Sequence, residues 1–97
     1  MEIELVPTEK LPNQTLWIDL DGQSCEIHLY ERFGFMFFDL KVEDDVIIQG
    51  QICLNNTNLI QYKHLKFNGQ LKFVDTQGNN DPYYTGFNER YALTYVK

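Results

Sequence analysis

The stretch Thr15-Leu-Trp-Ile-Asp-Leu-Asp-Gly-Gln-Ser-Cys-Glu-Ile-His-Leu-Tyr30 consists of two alternating apolar and polar runs on either side of Asp21-Gly22. The apolar residues of each run fall on one face: Leu16, Ile18 and Leu20 in the first, and Cys25, Ile27 and Leu29 in the second. An Asp-Gly pair between two such runs is typical of a two-residue β-hairpin, because a type I′ turn needs positive φ at both central residues. The stretch therefore predicts two antiparallel strands that share one apolar face.

Two further segments, 35–43 and 46–54, also alternate, and the acidic turn Glu43-Asp-Asp45 separates them. In the first segment the predicted inward face is Met36, Phe38, Leu40 and Val42, and the opposite face carries Phe35 and Phe37. In the second segment the predicted inward residues are Val46, Ile48, Gly50, Ile52 and Leu54. Gly50 has no side chain to pack, so it indicates a bulge or a close backbone approach in this strand.

The segment 75–90 predicts a long, ordered loop between two strands. Residues 71–74 and 91–96 have the alternation and the β-branched and aromatic content of strands. The loop contains the turn-forming residues Gly78, Pro82 and Gly86, and the rings Tyr83, Tyr84 and Phe87, which a disordered segment would usually lack. Asp75 and Arg90 flank the loop on strands that should pair antiparallel, so we expect a bidentate hydrogen bond between them to close its neck.

Taken together, these patterns predict an all-β fold without an amphipathic helix. Residues 1–13, which contain Pro7 and Pro12, are expected to form an extended segment. Residues 59–67 satisfy neither the strand nor the helix period, so we interpret them as irregular, with a short strand or one helical turn left open. The predicted fold class is a small antiparallel barrel or sandwich of six or seven short strands with one long ordered loop, in a single domain over residues 1–97.

Composition and charge restrict the function. The chain has 97 residues and a net charge of −6, which argues against binding to nucleic acid or to an anionic membrane surface. No apolar run approaches the length of about 20 residues that a membrane helix needs, so no membrane insertion is expected. The acidic start Met1-Glu-Ile-Glu-Leu5 lacks the basic start of a signal peptide, which predicts synthesis in the cytosol. Cys25 and Cys53 are then expected to be free thiols.

Residues for catalysis are scarce in this chain. Ser24 is the only serine, and His28 and His64 are the only histidines, with nothing nearby that marks an activated nucleophile. The long loop offers several oxygen donors that suit a hard cation such as Ca²⁺: Asp75, Gln77, Asn79, Asn80 and Asp81. Their spacing is not that of an EF-hand, and turns use Asp, Asn and Gly for backbone reasons, which is the interpretation that we favour. We therefore expect no enzyme activity, no cofactor and no metal site.

The thirteen Phe and Tyr residues exceed what one core face of so small a domain needs. We predict that a subset forms an exposed patch for a protein partner: Phe35, Phe37, Tyr83, Tyr84 and Phe87. In this interpretation the shape of the loop is fixed by Asp75, Gly78, Pro82, Gly86 and Arg90. The same rings could stack on sugars, so a carbohydrate-binding β module stays open as the alternative. Because residues 1–45 carry eleven of the fourteen acidic residues, head-to-tail rings of copies also stay open.

The long loop carries a specific set of motifs: Phe73-Val-Asp-Thr-Gln-Gly78, Asp81-Pro82, Tyr84-Thr-Gly86 and Arg90-Tyr91. With Pro12-Asn-Gln-Thr-Leu16 and Gly22-Gln23 earlier in the chain, these motifs resemble the cyanophage baseplate plug family of contractile-tailed phages. The resemblance implies a small structural β domain in the tail baseplate of the virion. It implies that the partners are the tail-tube end, the hub and the spike, or further copies in a ring or trimer. Synthesis would take place in the bacterial host cytoplasm before assembly.

Overall fold

The computed structural model of the chain describes residues 3–60, 67 and 69–96, and their regular structure is almost entirely β. The strands are β1 Ile3–Val6, β2 Asn13–Leu20, β3 Gln23–Arg32, β4 Phe35–Val42, β5 Asp45–Ile52, β6 Gln70–Asp75 and β7 Tyr91–Val96. A 3₁₀ turn, Tyr84–Gly86, lies in the long loop between β6 and β7. Within this described part, no helix is long and apolar enough to cross a membrane. The all-β prediction is confirmed.

The strands form two antiparallel sheets that pack face to face. One sheet has the order β1-β7-β6 and the other has the order β2-β3-β4-β5. Both sheets contribute alternate residues to one buried core, including Ile27, Leu29, Phe38 and Leu40 from the four-stranded sheet and Leu71, Phe73, Leu93 and Tyr95 from the three-stranded sheet. Because the two sheets do not join into one continuous ladder, the fold is a sandwich and not a barrel.

Three two-residue turns connect the strands of the four-stranded sheet. Their central residues are Asp21-Gly22, Phe33-Gly34 and Glu43-Asp44, and all of them have positive φ, between 49° and 82°. Type I′ hairpins need this conformation because it matches the right-handed twist of the flanking strands. The hairpin predicted at Asp21-Gly22 is therefore confirmed. At Phe33 the same conformation is held by a bulky residue, at a cost of about 1–2 kcal/mol relative to the right-handed region.

The inward face predicted for β5 is wrong, because two β-bulges shift the register of this strand against β4. The extra residues lie at Ile47 and in Gln49-Gly50, and each bulge exchanges the inward and outward positions beyond it. The resulting burial differs from the predicted alternation: Val46 and Gly50 are exposed, and Ile48, Ile52 and Leu54 are half-buried. Cys53 enters the core instead. The bulge expected at Gly50 is present, with φ at +69° and an N–H that donates to Asp39 Oδ1 at 2.7 Å.

Both cysteines are free thiols, as predicted, and both lie in the core. Cys25 in β3 is 2% exposed and Cys53, just after β5, is fully buried. Burial raises the pKa of both thiols, because the charged thiolate is poorly solvated in an apolar surrounding. The reactive form of either cysteine is therefore scarce in the folded chain.

We expect both thiols to resist a thiol-specific reagent in native buffer. Labelling requires local or global opening of the core, so it should be slower than labelling of an exposed thiol by a factor of about 10³ or more. The absorbance of an aromatic disulfide reagent, followed with and without denaturant, measures this rate. Rapid reaction of either cysteine in native buffer would contradict the buried positions.

Residues 55–58, which follow β5, run along the outer edge of β6. Isolated β-bridges join Asn55 and Asn58 to this strand, so its edge is partly covered. The prediction that residues 59–67 are irregular falls mainly on 61–66, which lie outside the described residues. At the other edge of this sheet, β1 pairs with β7 from Ile3↔Val96 to Val6↔Leu93. The short apolar stretch of the predicted extended segment is thus an edge strand.

Candidate protein-contact site

The loop between β6 and β7 is closed at its base by Asp75 and Arg90. The Arg90 Nε and Nη2 atoms donate to Asp75 Oδ1 and Oδ2, each at 2.8 Å, so the expected bidentate contact is present. Next to it, Thr76 donates to the Arg90 carbonyl oxygen from its N–H at 2.9 Å and from its hydroxyl at 2.7 Å. The Asp75 side chain is fully enclosed, and the Arg90 side chain is 29% exposed. The two ends of the loop are therefore fixed to each other.

The Asp75 carboxylate also orders the first turn of the loop. Its Oδ1 accepts the N–H of Gln77 and its Oδ2 accepts the N–H of Asn80, both at 2.9 Å. Gly78 lies against this cluster, where a Cβ would come within 3.1 Å of Arg90 Nη2 and 3.3 Å of Asp75 Oδ2. Hydrogen bonds from Arg90 hold the pKa of Asp75 well below its usual range, and the two backbone N–H groups lower that pKa further.

Stability is expected to fall in acid as Asp75 takes up a proton. The pKa of Asp75 is lower in the folded chain than the value of about 4 in an unfolded chain, so the unfolded state binds the proton first. The contribution of the carboxylate is fully present above about pH 4 and is lost as the pH falls toward the lower folded pKa. Melting curves recorded across this pH range should show a shallower decline for Asp75→Asn than for the wild type. Identical acid profiles would contradict this assignment.

The carboxylates of the loop face N–H donors and not an open cation site. Asp81 Oδ1 accepts the N–H of Asn55 at 3.0 Å, and Asn55 Oδ1 accepts the N–H of Asp75 at 2.9 Å. Across residues 3–60, 67 and 69–96, no group of three or more His, Cys, Asp or Glu is placed to hold a metal ion. These oxygens therefore serve the backbone of the loop and tie it to the segment beside β6.

Phe87, which the sequence placed in the contact patch, lies in the core. Its side chain is fully buried, and its ring stacks on Phe73 with a centroid distance of 5.3 Å and an interplanar angle of 15°. Gly86 makes room for this part of the loop, since a Cβ there would come within 2.7 Å of the Tyr91 ring. Pro82 is buried as well. The Phe87 ring therefore attaches the loop to the core of its own domain, and Phe87 is not part of the proposed contact surface.

Tyr83 and Tyr84 remain half-buried at the surface of the loop, with their ring centroids 4.8 Å apart. Both rings pack partly against the core. The Tyr83 hydroxyl donates to Glu31 Oε2 at 3.3 Å, and the same oxygen accepts the N–H of Gly34 at 3.0 Å. One carboxylate therefore links the long loop to the tip of the β3–β4 hairpin.

Phe35 and Phe37 lie on the outer face of the four-stranded sheet, opposite the core. Phe35 is 45% exposed, and the half-buried Phe37 has its ring centroid 5.9 Å from that of Tyr30. His28 stacks on Tyr30 at 4.8 Å, and Arg32 Cζ lies 5.3 Å from the centre of the Tyr30 ring. The outer face of β3 and β4 is therefore a row of rings next to a guanidinium group.

Phe33, at the tip of the β3–β4 hairpin, was not assigned a role by the sequence analysis. Its side chain is 92% exposed, more than any other large apolar side chain in the described residues. The signal was nevertheless in the sequence, because Phe33-Gly34 separates two alternating runs by two residues with glycine second, as Asp21-Gly22 does. Phe33 and Phe35 together leave two exposed rings at one end of the four-stranded sheet.

The polar groups beside these rings are engaged in hydrogen bonds within the chain. His28 Nε2 lies 2.9 Å from Asn13 Oδ1, and His28 Nδ1 lies 3.4 Å from Asp39 Oδ2. Asp39 Oδ1 in turn accepts the Tyr30 hydroxyl at 3.1 Å. The other histidine, His64, lies outside the described residues. His28 is thus part of a polar network on the sheet surface rather than of a nucleophile and base pair.

The fold and the site define a class of protein: a small β-sandwich whose long loop is closed by an ion pair with an enclosed carboxylate, and whose outer surface carries exposed and half-buried aromatic rings. The family model described as "Cyanophage baseplate Pam3 plug gp18" matches residues 2–97. The chain belongs to this family of cyanophage baseplate plug proteins, as the sequence motifs suggested. Membership supports a structural role in the tail baseplate, among other baseplate components. No curated protein matches the chain.

Proposed function

We propose that the protein acts as a plug that packs against the tail-tube end, the hub and the spike, without carrying out a chemical reaction. The observation that carries this proposal is the family match over residues 2–97. The side chains described above support it, because their polar groups bond within the chain while several aromatic rings face outward. The chain would be made in the host cytoplasm and then built into the baseplate.

The proposed contact surface consists of Phe35, Phe37, Tyr83 and Tyr84. Its shape is fixed before binding, because Glu31 links the hairpin to the loop and the ion pair at the loop base closes the neck. A preorganised surface of this kind loses less conformational entropy when it binds. The contacts involve packing and hydrogen bonds only, so sheath contraction can displace the plug without breaking a covalent bond.

Co-expression with the tube-end, hub and spike proteins of the same phage tests the proposal. In size exclusion with light scattering, the wild-type chain is expected to co-elute with at least one of them, and Phe35→Ser combined with Phe37→Ser should reduce this co-elution. Val46→Ser is the matched control, since Val46 is an apolar residue of the same sheet, 52% exposed, outside the proposed surface. A stable monomer that binds none of these proteins would contradict the proposed function.

A carbohydrate-binding module of the tail is the second candidate, and Trp17 is the observation that favours it. Its ring is 72% exposed, and its Nε1 donates to Glu26 Oε1 at 3.1 Å. A polar groove on the same face is lined by side chains that include Thr15, Glu26, His28, Asp39 and Lys41. A ring beside such hydrogen-bonding groups is suited to stacking on a sugar. Glycan-array binding that Trp17→Ala abolishes would favour this candidate, and an array without hits would exclude it.

A further inference from the structure

The three turns of the four-stranded sheet share one backbone conformation but differ in chemistry. Asp21-Gly22 and Glu43-Asp44 place acidic side chains at their tips, whereas Phe33-Gly34 places an aromatic ring there. Gly, Asn and Asp are the residues that suit positive φ, and Phe33 at +56° has neither a favourable backbone conformation nor contact with the core. Folding alone does not explain a strained and exposed phenyl ring, and such outliers point to a function.

The backbone that carries Phe33 is held in place from two sides. Glu31 Oε2 accepts the N–H of Gly34 at 3.0 Å, which fixes the turn from within the hairpin. The same oxygen accepts the Tyr83 hydroxyl at 3.3 Å, which fixes the turn to the long loop. The ring of Phe33 is therefore exposed to solvent on a turn whose backbone is fixed by hydrogen bonds.

An open, largely apolar cavity of about 220 Å³, with Thr8, Thr76 and Asn88 among its lining, lies beside β1 and β7 on the other sheet. Its lining includes Leu5, Val6, Tyr91, Ala92, Leu93 and Glu89. An apolar cavity of about 150 Å³ takes up benzene, so this volume is sufficient for a phenyl ring. Leu5 is 68% exposed, and the cavity is open to a side chain from outside.

We propose that Phe33 of one copy of this chain inserts into the cavity beside β1 and β7 of a second copy. Arg32 precedes the ring in one copy and would approach Glu89 at the rim of the cavity in the other, where Glu89 also shares an exposed ion pair with Lys10 of its own chain. Residues 13–52, which form the four-stranded sheet, carry eight acidic and two basic residues. Contact between the four-stranded sheets of two copies would therefore be repulsive, and contact with the less acidic three-stranded sheet avoids this repulsion.

The two copies use different surfaces in this contact, so the interface is heterologous. Such an interface generates a closed ring where the rotation between copies closes, and an open chain where it does not. The proposal goes beyond the contacts with the tube end, hub and spike, because it concerns contacts between copies of this chain. A test on the isolated protein therefore separates it from the proposed function.

Light scattering of the isolated protein over a wide range of concentrations tests the contact. The wild-type mass is expected to rise above the 11.5 kDa of one chain, whereas Phe33→Asn should stay at 11.5 kDa throughout. Asparagine accepts positive φ better than phenylalanine, so this variant keeps the turn. Trp17→Asn is the matched control, because it removes another exposed ring of the same sheet and should associate as the wild type does.

A second variant, Ala92→Phe, fills the cavity and should also remain monomeric. If circular dichroism shows that it does not fold, Leu5→Asp at the exposed rim of the cavity replaces it. In an equimolar mixture, Phe33→Asn supplies an intact cavity and the cavity variant supplies an intact Phe33 ring. The mixture should therefore form pairs of twice 11.5 kDa that do not grow further. A monomeric wild type, association of Phe33→Asn, or a mixture that stays monomeric would overturn the proposal.

Discussion

Replacement of Phe87 by alanine is expected to lower the free energy of unfolding by about 3–5 kcal/mol, the usual cost of removing a large buried aromatic side chain. The Phe87 ring is fully buried and stacks on Phe73, so its loss leaves a cavity and removes an aromatic contact. Domains of this kind are stable by only about 5–15 kcal/mol, so one substitution removes a large part of the stability. Denaturant unfolding followed by circular dichroism measures the change.

Two comparisons separate this structural role from a role in binding. Phe87→Leu retains most of the buried apolar surface and should cost clearly less than Phe87→Ala. Tyr84→Ala, at a half-buried position on the same loop, should cost less as well, yet weaken co-elution with baseplate proteins. A Phe87→Ala variant of unchanged stability that fails to bind baseplate proteins would reverse these assignments.

The second large effect is expected at the base of the loop. Asp75→Asn should lower the melting temperature by about 10 °C or more, because the substitution leaves the Arg90 guanidinium and two backbone N–H groups without a charged acceptor. The Asp75 side chain is fully enclosed, whereas the Arg90 side chain is 29% exposed. Thermal unfolding followed by circular dichroism measures the shift.

A double-mutant cycle tests whether Asp75 and Arg90 act together. The variant Asp75→Asn/Arg90→Gln is expected to lose less stability than the sum of the two single variants, since either change alone already breaks the pair. Lys10 and Glu89 provide the control, because their ion pair joins the same loop to residue 10 but is exposed, with side chains 51% and 62% accessible. Breaking that pair should hardly change stability. If the stability losses of the two single variants simply add up in the double variant, Asp75 and Arg90 do not stabilise the base of the loop as a pair.

The parts of the fold that depend on local chemistry could be predicted from the sequence. The alternation around Asp21-Gly22 defines both a turn and the faces of its strands, so β2 and β3 followed directly. The faces of β5 could not be predicted in the same way. Gly50 indicated one bulge, but the second bulge, at Ile47, depends on pairing with β4 and has no local signal. A pattern of period two cannot show where an extra residue interrupts the ladder.

The candidate site likewise contains one contact that could be predicted from the sequence and one that could not. The contact between Asp75 and Arg90 could be anticipated, because antiparallel pairing brings the ends of neighbouring strands together. The sequence could not distinguish Phe87 from Tyr83, since both are aromatic residues of one loop. The difference lies in their packing, because the Phe87 ring stacks on Phe73 in the core whereas the Tyr83 hydroxyl donates to Glu31 at the surface of the loop. These are tertiary contacts with no local signature.

The pairing of β1 with β7 has a consequence for the order of folding. The two-residue turns let β2 to β5 associate by closing very short loops, whereas the pair Ile3↔Val96 closes a loop of almost the whole chain. Loop closure becomes entropically more costly with length, so the four-stranded sheet is expected to form early and the three-stranded sheet late. The short strand β1 would then be the last to dock and the first to detach. Because Leu5 and Val6 of β1 line the cavity, copies could recognise one another through it only after each chain has completed its own folding.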